Sequence, residues 1–125
     1  MDLTIQPGKI HLLHEVIQGV ATGSVRVIGS LRSYDAAADE AMIEYKGASL
    51  PVNTSLIPGF QFRQDSLFEF IGEVEDGGGG GATGKKLRAR VYRNVDGLDT
   101  NLFEKALRVR RAFLADPDYV ARAPS

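Results

Sequence analysis

Residues 87–95 read L-R-A-R-V-Y-R-N-V, a two-residue alternation of apolar and polar side chains. Leu87, Ala89, Val91 and Val95 fall on one side, and Arg88, Arg90, Tyr92 and Asn94 on the other. That period belongs to a half-buried β-strand. Asp96-Gly97 closes the strand, and from Thr100 to Leu114 the apolar spacing changes to that of a helix. A strand with a basic outer face, a tight turn and one terminal amphipathic helix predict a small β-barrel that docks something with its last helix.

Asp99 is placed to cap that helix, its carboxylate beside free backbone N–H groups. Leu98 and Phe103 stand at the spacing of a hydrophobic staple. At about 100° per residue, Leu102, Phe103, Ala106, Leu107, Val109, Phe113 and Leu114 cover an arc of roughly 160°, with Arg110 inside it. An Arg there is costly to bury without a partner. Two readings follow. Its planar fork meets a carboxylate across an interface, or its stem passes over the core and the charge stays in water.

Upstream, Ser24–Asp35 forms a first strand, with Val25, Val27, Gly29 and Leu31 on one face and Arg26, Ile28, Ser30 and Arg32 on the other. Gly29 marks a bend or a close backbone approach. Ala41–Tyr45 and Ser49–Thr54 form two more strands, joined at Lys46-Gly47, and Leu67–Glu75 a fourth. The segment from Ser55 to Ser66 lacks periodicity and is a loop. Residues 10–17 can form a turn or two of helix. Five short strands and a terminal helix fit the five-stranded Greek-key barrel of the OB-fold. The expected organisation is a lead-in at 1–22, an OB-fold domain at 23–114 with its helix at 100–114, and a loose tail at 115–125.

A chain of 125 residues makes one domain with a modest core. It has no cysteine, which excludes disulfides and thiolate metal sites and fits a reducing compartment. No apolar run reaches the length of a membrane span, and no basic-then-apolar leader opens the chain, so a cytosolic or nuclear protein without membrane contact is expected. The net charge of −1 conceals an asymmetry. Lys85, Lys86, Arg88, Arg90, Arg93, Lys105, Arg108, Arg110 and Arg111 face only Asp96, Asp99 and Glu104 in residues 85–111, while the first 76 residues are acidic by a similar margin. The whole molecule is not drawn strongly to nucleic acid, but one face can be.

Gly79–Lys85 matches G-x-x-x-x-G-K, the opening of a phosphate-binding loop. Lys86 stands where that motif needs Ser or Thr for Mg²⁺, and a strand follows where a helix N-terminus must cradle phosphate. The five glycines of this loop read instead as a flexible hairpin connection. His11, His14 and Glu15 share a short span but have no further ligand cluster, so no metal and no cofactor is expected. No nucleophile–base arrangement is recognisable, and no enzymatic activity is expected. A basic strand with interleaved aromatics is the pattern that holds single-stranded nucleic acid. Lys86, Arg88, Arg90, Tyr92 and Arg93 are its candidates, with Tyr34, Tyr45 and Phe60–Phe62 near strand ends and loops.

A set of short motifs extends over most of the chain in order. It comprises Pro7-Gly8, Gly23-Ser24 followed by Arg26, L-R-S-Y-D at 31–35, Thr54-Ser55-Leu56, Ser66-Leu67-Phe68, Gly72-Glu73-Val74, and the run from Leu87 to Arg111 with A-R-V and V-D-G-L-D. In their order and spacing these resemble the Ten subunits, the smallest subunits of the CST telomere-capping complex. The resemblance implies a non-enzymatic OB-fold subunit that heterodimerises, largely through C-terminal helices, with the larger Stn-type OB subunit, alongside the large CST subunit. It further implies a place in the nucleus, at telomeric chromosome ends, and a role in end protection and lagging-strand fill-in. Telomeric single-stranded DNA would be met weakly or through the complex. Phe113 matches an aromatic interface position, and Arg26 a strand arginine that faces the partner. With the helix reading, this gives Arg26, Leu102, Leu107, Val109, Arg110 and Phe113 as expected partner contacts. The poly-glycine loop departs from the family pattern. The alternatives are a stand-alone single-stranded nucleic-acid-binding OB protein and the small subunit of a replication protein A-like complex.

Overall fold

The computed structural model describes residues 9–21, 23–76 and 84–115, with the side chain of Leu114 excepted. The Gln6-Pro7-Gly8 turn, the glycine run and the tail lie outside the described residues. Within them the chain forms β1 (Lys9–Ile10), α1 (Leu13–Ile17), β2 (Ser24–Asp35), β3 (Glu40–Tyr45), β4 (Ala48–Asn53), β5 (Leu67–Asp76), β6 (Lys85–Asn94) and α2 (Thr100–Ala115). The predicted strands and terminal helix are all present, each within two residues of its expected limits.

The strands β2-β3-β4-β6-β5 pair in that order, and β5 pairs back to β2, closing a five-stranded barrel. This is the expected OB-fold. β2 is long enough to serve both neighbours: Ser24–Ser30 run antiparallel to β5, and Ser30–Asp35 antiparallel to β3. Gly29 allows the corner, because a Cβ there would come to 3.0 Å from that of Ile43. The closing β4–β6 contact is parallel and short, Val52 and Asn53 against Leu87 and Arg88. The β3–β4 hairpin turns on Lys46 and Gly47, both at positive φ, which matches the right-handed twist of the strands.

Alternation fills the interior. Val25, Val27, Leu31, Ile43, Leu50, Val52, Phe70, Leu87 and Ala89 are all fully or almost fully buried. The lead-in contributes to the same core: β1 lies parallel to β2, and Leu13 and Val16 of α1 are fully buried.

Two bulges break the alternation. In β2 the register slips between Leu31 and Ser33, leaving Arg32 without a partner residue on β3. In β6, Ala89 pairs with Gly72 and Val91 with Ile71, leaving Arg90 as the extra residue. One added residue moves everything beyond it to the opposite face. The expected assignment of Val91 to the core and Tyr92 to the basic outer face is therefore corrected. Val91 is 47% exposed, and Tyr92 packs against Phe60, Phe68 and Phe70. Gly72 makes the β6 bulge possible: a Cβ there would lie 2.1 Å from the Arg88 carbonyl oxygen.

Candidate docking helix and nucleic-acid face

The turn after β6 sets the start of α2. The Asp99 carboxylate accepts the Leu102 N–H at 3.0 Å, and the Phe103 N–H reaches the Asp99 carbonyl at 2.9 Å, so Asp99 is the cap the sequence predicts. Asp96 ties the same turn to the barrel by accepting the Leu67 N–H at 2.7 Å.

The wide apolar arc of α2 divides into two stripes. Phe103 packs against the barrel core, and Leu107 is only 6% exposed. Leu107, expected among the partner contacts, thus belongs to the inner side. Leu102, Val109 and Phe113 are 62%, 46% and 42% exposed, and Ala106 is exposed with them. Their spacing of four, three and four residues is that of a helix-packing seam. Arg110 is exposed on the flank of this seam, between the two stripes at about 100° per residue. Among the described residues it makes no ion pair.

Two polar clamps hold α2 so that the seam faces outward. Glu104 receives the Tyr45 hydroxyl hydrogen bond and the Lys46 ammonium at 2.8 Å. Burial, with Glu104 beside it, pushes the Tyr45 hydroxyl up to about 12, so it remains a donor at neutral pH. One turn from the C-terminal end, Arg111 grips both oxygens of Glu15 at 2.8 Å and donates to the Ile10 carbonyl at 3.0 Å. Arg111 holds the Glu15 carboxyl down at about 2, against the upward push of partial burial. Glu15 also accepts the Leu12 N–H at 2.9 Å, so one carboxylate organises the lead-in and anchors the helix. The sequence reading missed this pair. The available signal was that Arg111 lies about 40° from Leu107 on the wheel, on the inward flank. Its carboxylate stands 96 residues away, beyond any local pattern.

The basic strand is built differently from a bare cationic groove. Lys85 meets Asp76 at 3.0 Å, Lys86 meets Glu40 at 2.7 Å, and Arg88 and Arg90 meet Glu75 and Glu73 at 3.7 Å. Arg93 meets Glu69 at 2.9 Å, and the other oxygen of Glu69 takes Arg26 at 3.2 Å. The acidic excess of the first 76 residues and the basic excess of the last third are therefore two sides of one cross-strand ladder. Of the five predicted nucleic-acid contacts, Lys86, Arg88, Arg90 and Arg93 each stand beside a carboxylate, and Tyr92 packs among the aromatics of the barrel end. Arg26, expected at the partner surface, lies half-buried at the end of this network. His11 belongs to the Arg111–Glu15 clamp, and no group of metal-ligating side chains forms among the described residues.

A family model for telomere-capping CST complex subunits matches residues 4–117. The chain is 39% identical over 97 residues to the CST complex subunit TEN1 of Arabidopsis thaliana, a match covering 76% of this chain and 73% of that protein. In fold it is similar to a chain of the S. pombe Stn1–Ten1 complex, at a TM-score of 0.69 and 12% identity, covering 89% of this chain and 98% of that one. It is also similar to a chain of U. maydis replication protein A bound to single-stranded DNA, at a TM-score of 0.67 and 17% identity, covering 88% of this chain and 94% of the other.

Proposed function

The chain belongs to the telomere-capping CST complex subunit family of the Ten subunits, and we propose that it is an OB-fold subunit that pairs through α2 with a Stn-type OB partner. Within the resulting complex it serves telomere end protection and lagging-strand fill-in, in the nucleus at chromosome ends. It acts by binding, without a chemical step of its own. The observation that carries this reading is the outer seam of α2. Leu102, Ala106, Val109 and Phe113 make an apolar stripe at helix-packing spacing, turned away from the barrel and held there by two polar clamps. A stripe of this kind on one rigid element is suited to receive a partner's helix.

The neutralised β6 ladder favours the subunit reading over a stand-alone nucleic-acid binder. A phosphate must displace a neighbouring carboxylate before it gains an arginine or lysine there. The test is paired. Truncating an interface anchor costs on the order of 2 kcal/mol or more, roughly 30-fold in affinity. Leu102→Ala, Phe113→Ala and Arg110→Glu should therefore weaken calorimetric binding to the Stn-type partner by about that factor or more. Chemical denaturation of the isolated Leu102→Ala and Arg110→Glu variants should move by about 0.5 kcal/mol or less, as for exposed positions. Variants that unfold easily yet bind normally once folded, or an isolated chain that holds oligonucleotides at nanomolar affinity in physiological salt, overturn the assignment.

A further inference from the structure

The loop between β4 and β5 carries Gln61-Phe62-Arg63-Gln64-Asp65, five consecutive exposed residues. Two residues earlier, Phe60 is buried among Phe68, Phe70 and Tyr92 and plugs this end of the barrel. Phe62 is instead left 37% exposed. Behind it lies Tyr34, with ring centroids 6.4 Å apart and planes only 16° from parallel. Tyr34 is itself fixed, because Phe60 meets it edge to face at 5.2 Å and 77°. The bulge at Arg32 turns Tyr34 to this side: strict alternation from Leu31 would place it outward.

We propose that Phe62, backed by Tyr34, is a stacking platform for an unpaired nucleobase, with Arg63 taking an adjacent phosphate of the same single strand. Three observations favour a nucleobase as occupant. The surface is flat: two near-parallel rings with an open outer side, which a third planar ring extends. The backing ring Tyr34 is ordered before binding by its edge-to-face contact with Phe60, which lowers the ordering cost of stacking. Finally, Arg63 differs from the β6 cations in making no ion pair among the described residues. Asp65 is taken by Arg32, and Asp96 by the Leu67 N–H and the Asn94 amide, so Arg63 reaches Asp96 only as a nearby charge that helps to hold that carboxyl down and not as an ion pair. The exposed amides of Gln61 and Gln64 supply donors and acceptors on either side, suited to base edges. The site shares no residue with the α2 seam or with the basic strand that sequence pattern alone singles out.

The experiment is a titration of the isotopically labelled full chain with a short oligodeoxythymidylate at low salt, followed by amide NMR. Shifts concentrated at residue 34 and residues 60–64 are expected. Phe62→Ala should weaken binding roughly 5- to 150-fold, the range for losing one stacked base, and Phe62→Trp should retain or tighten it. Arg63→Gln should reduce the steepness of the salt dependence by about one unit of slope. Pairing with the Stn-type partner should be unchanged in all three variants, and their melting temperatures should stay within a degree or two of the parent. Shifts confined to residues 86–93, or unaltered oligonucleotide affinity in Phe62→Ala, overturn the proposal. Loss of partner affinity in Phe62→Ala with oligonucleotide binding intact also overturns it, and assigns the platform to a protein contact.

Discussion

Glu15 and Arg111 fasten the C-terminal half of α2 to the lead-in. The depressed Glu15 carboxyl means that the folded state holds its charge to lower pH than the unfolded chain does, down to about 2 from the ordinary 4.5. The clamp therefore stabilises fully above pH ~5, and its contribution is lost as pH falls through that window. Part of the pair is open to solvent, so the contribution is about 1 to 2 kcal/mol rather than the full value of the depression. Denaturation midpoints measured from pH 7 to 2.5 should fall, and Glu15→Gln should be less stable at pH 7 with a flatter profile. A parallel profile in the variant would mean that other carboxylates set the acid response. Local readings at this scale succeeded where the partner lies within a few residues. The Asp99 cap was legible because an N-cap is a contact across three residues. The Arg111–Glu15 pair was not, because nothing in a linear pattern encodes which distant carboxylate closes over a helix end.

At the scale of elements, strand limits were legible from Gly, Asp and Pro punctuation and from period-two runs, and the barrel followed from their number. Facing beyond the bulges was not. As a sequence, residues 87–95 alternate except at Arg93, which falls on the apolar side, and the structure makes Arg90 the extra residue. The cue was on the neighbouring strand, in Gly72, whose missing side chain lets the β6 backbone come close. Gly72→Ala should destabilise by about 1 to 3 kcal/mol or more, since an overpacked backbone contact must open. The bulge also sets a contrast between neighbours. Val91→Thr should cost about 0.5 kcal/mol or less, and Tyr92→Ala about 2 kcal/mol or more, as aromatic contacts are lost from the barrel end. Chemical denaturation decides it. The reverse ranking would restore the plain alternation. The seam of α2 was half legible: periodicity showed a wide apolar arc, while its division into an inner and an outer stripe depends on where the barrel stands.

For the molecule as a whole, the charge distribution is the feature sequence described correctly and interpreted incompletely. Nine basic residues cluster in residues 85–111, but folding places the acidic strand β5 beside five of the positions in and around them. Six exposed cations released to solvent would give a salt slope of about −4 on a single strand. With Arg26 and the β6 side chains paired, the isolated chain should show a slope nearer −1 and weak affinity. Freeing the cations should reverse this. Glu73→Gln with Glu75→Gln should tighten oligonucleotide binding by about tenfold at low salt and steepen the slope by about 1. Fluorescence anisotropy across a salt series is the measurement, and an unchanged slope would show that the ladder does not restrain these side chains.

The grip of Arg111 on Glu15 also has a mechanical side. It joins the first described elements of the chain to the last, so tension applied across residues 9 and 115 loads this clasp before any barrel strand. The strands β2, β3, β5 and β6 are stitched to a neighbour by long ladders, whereas the helix is fastened by two polar clamps and the packing of Phe103 and Leu107. Under load the seam-bearing helix is expected to come away before the closed barrel opens, and a pulling experiment on the isolated chain should then show a small first extension that Glu15→Gln removes.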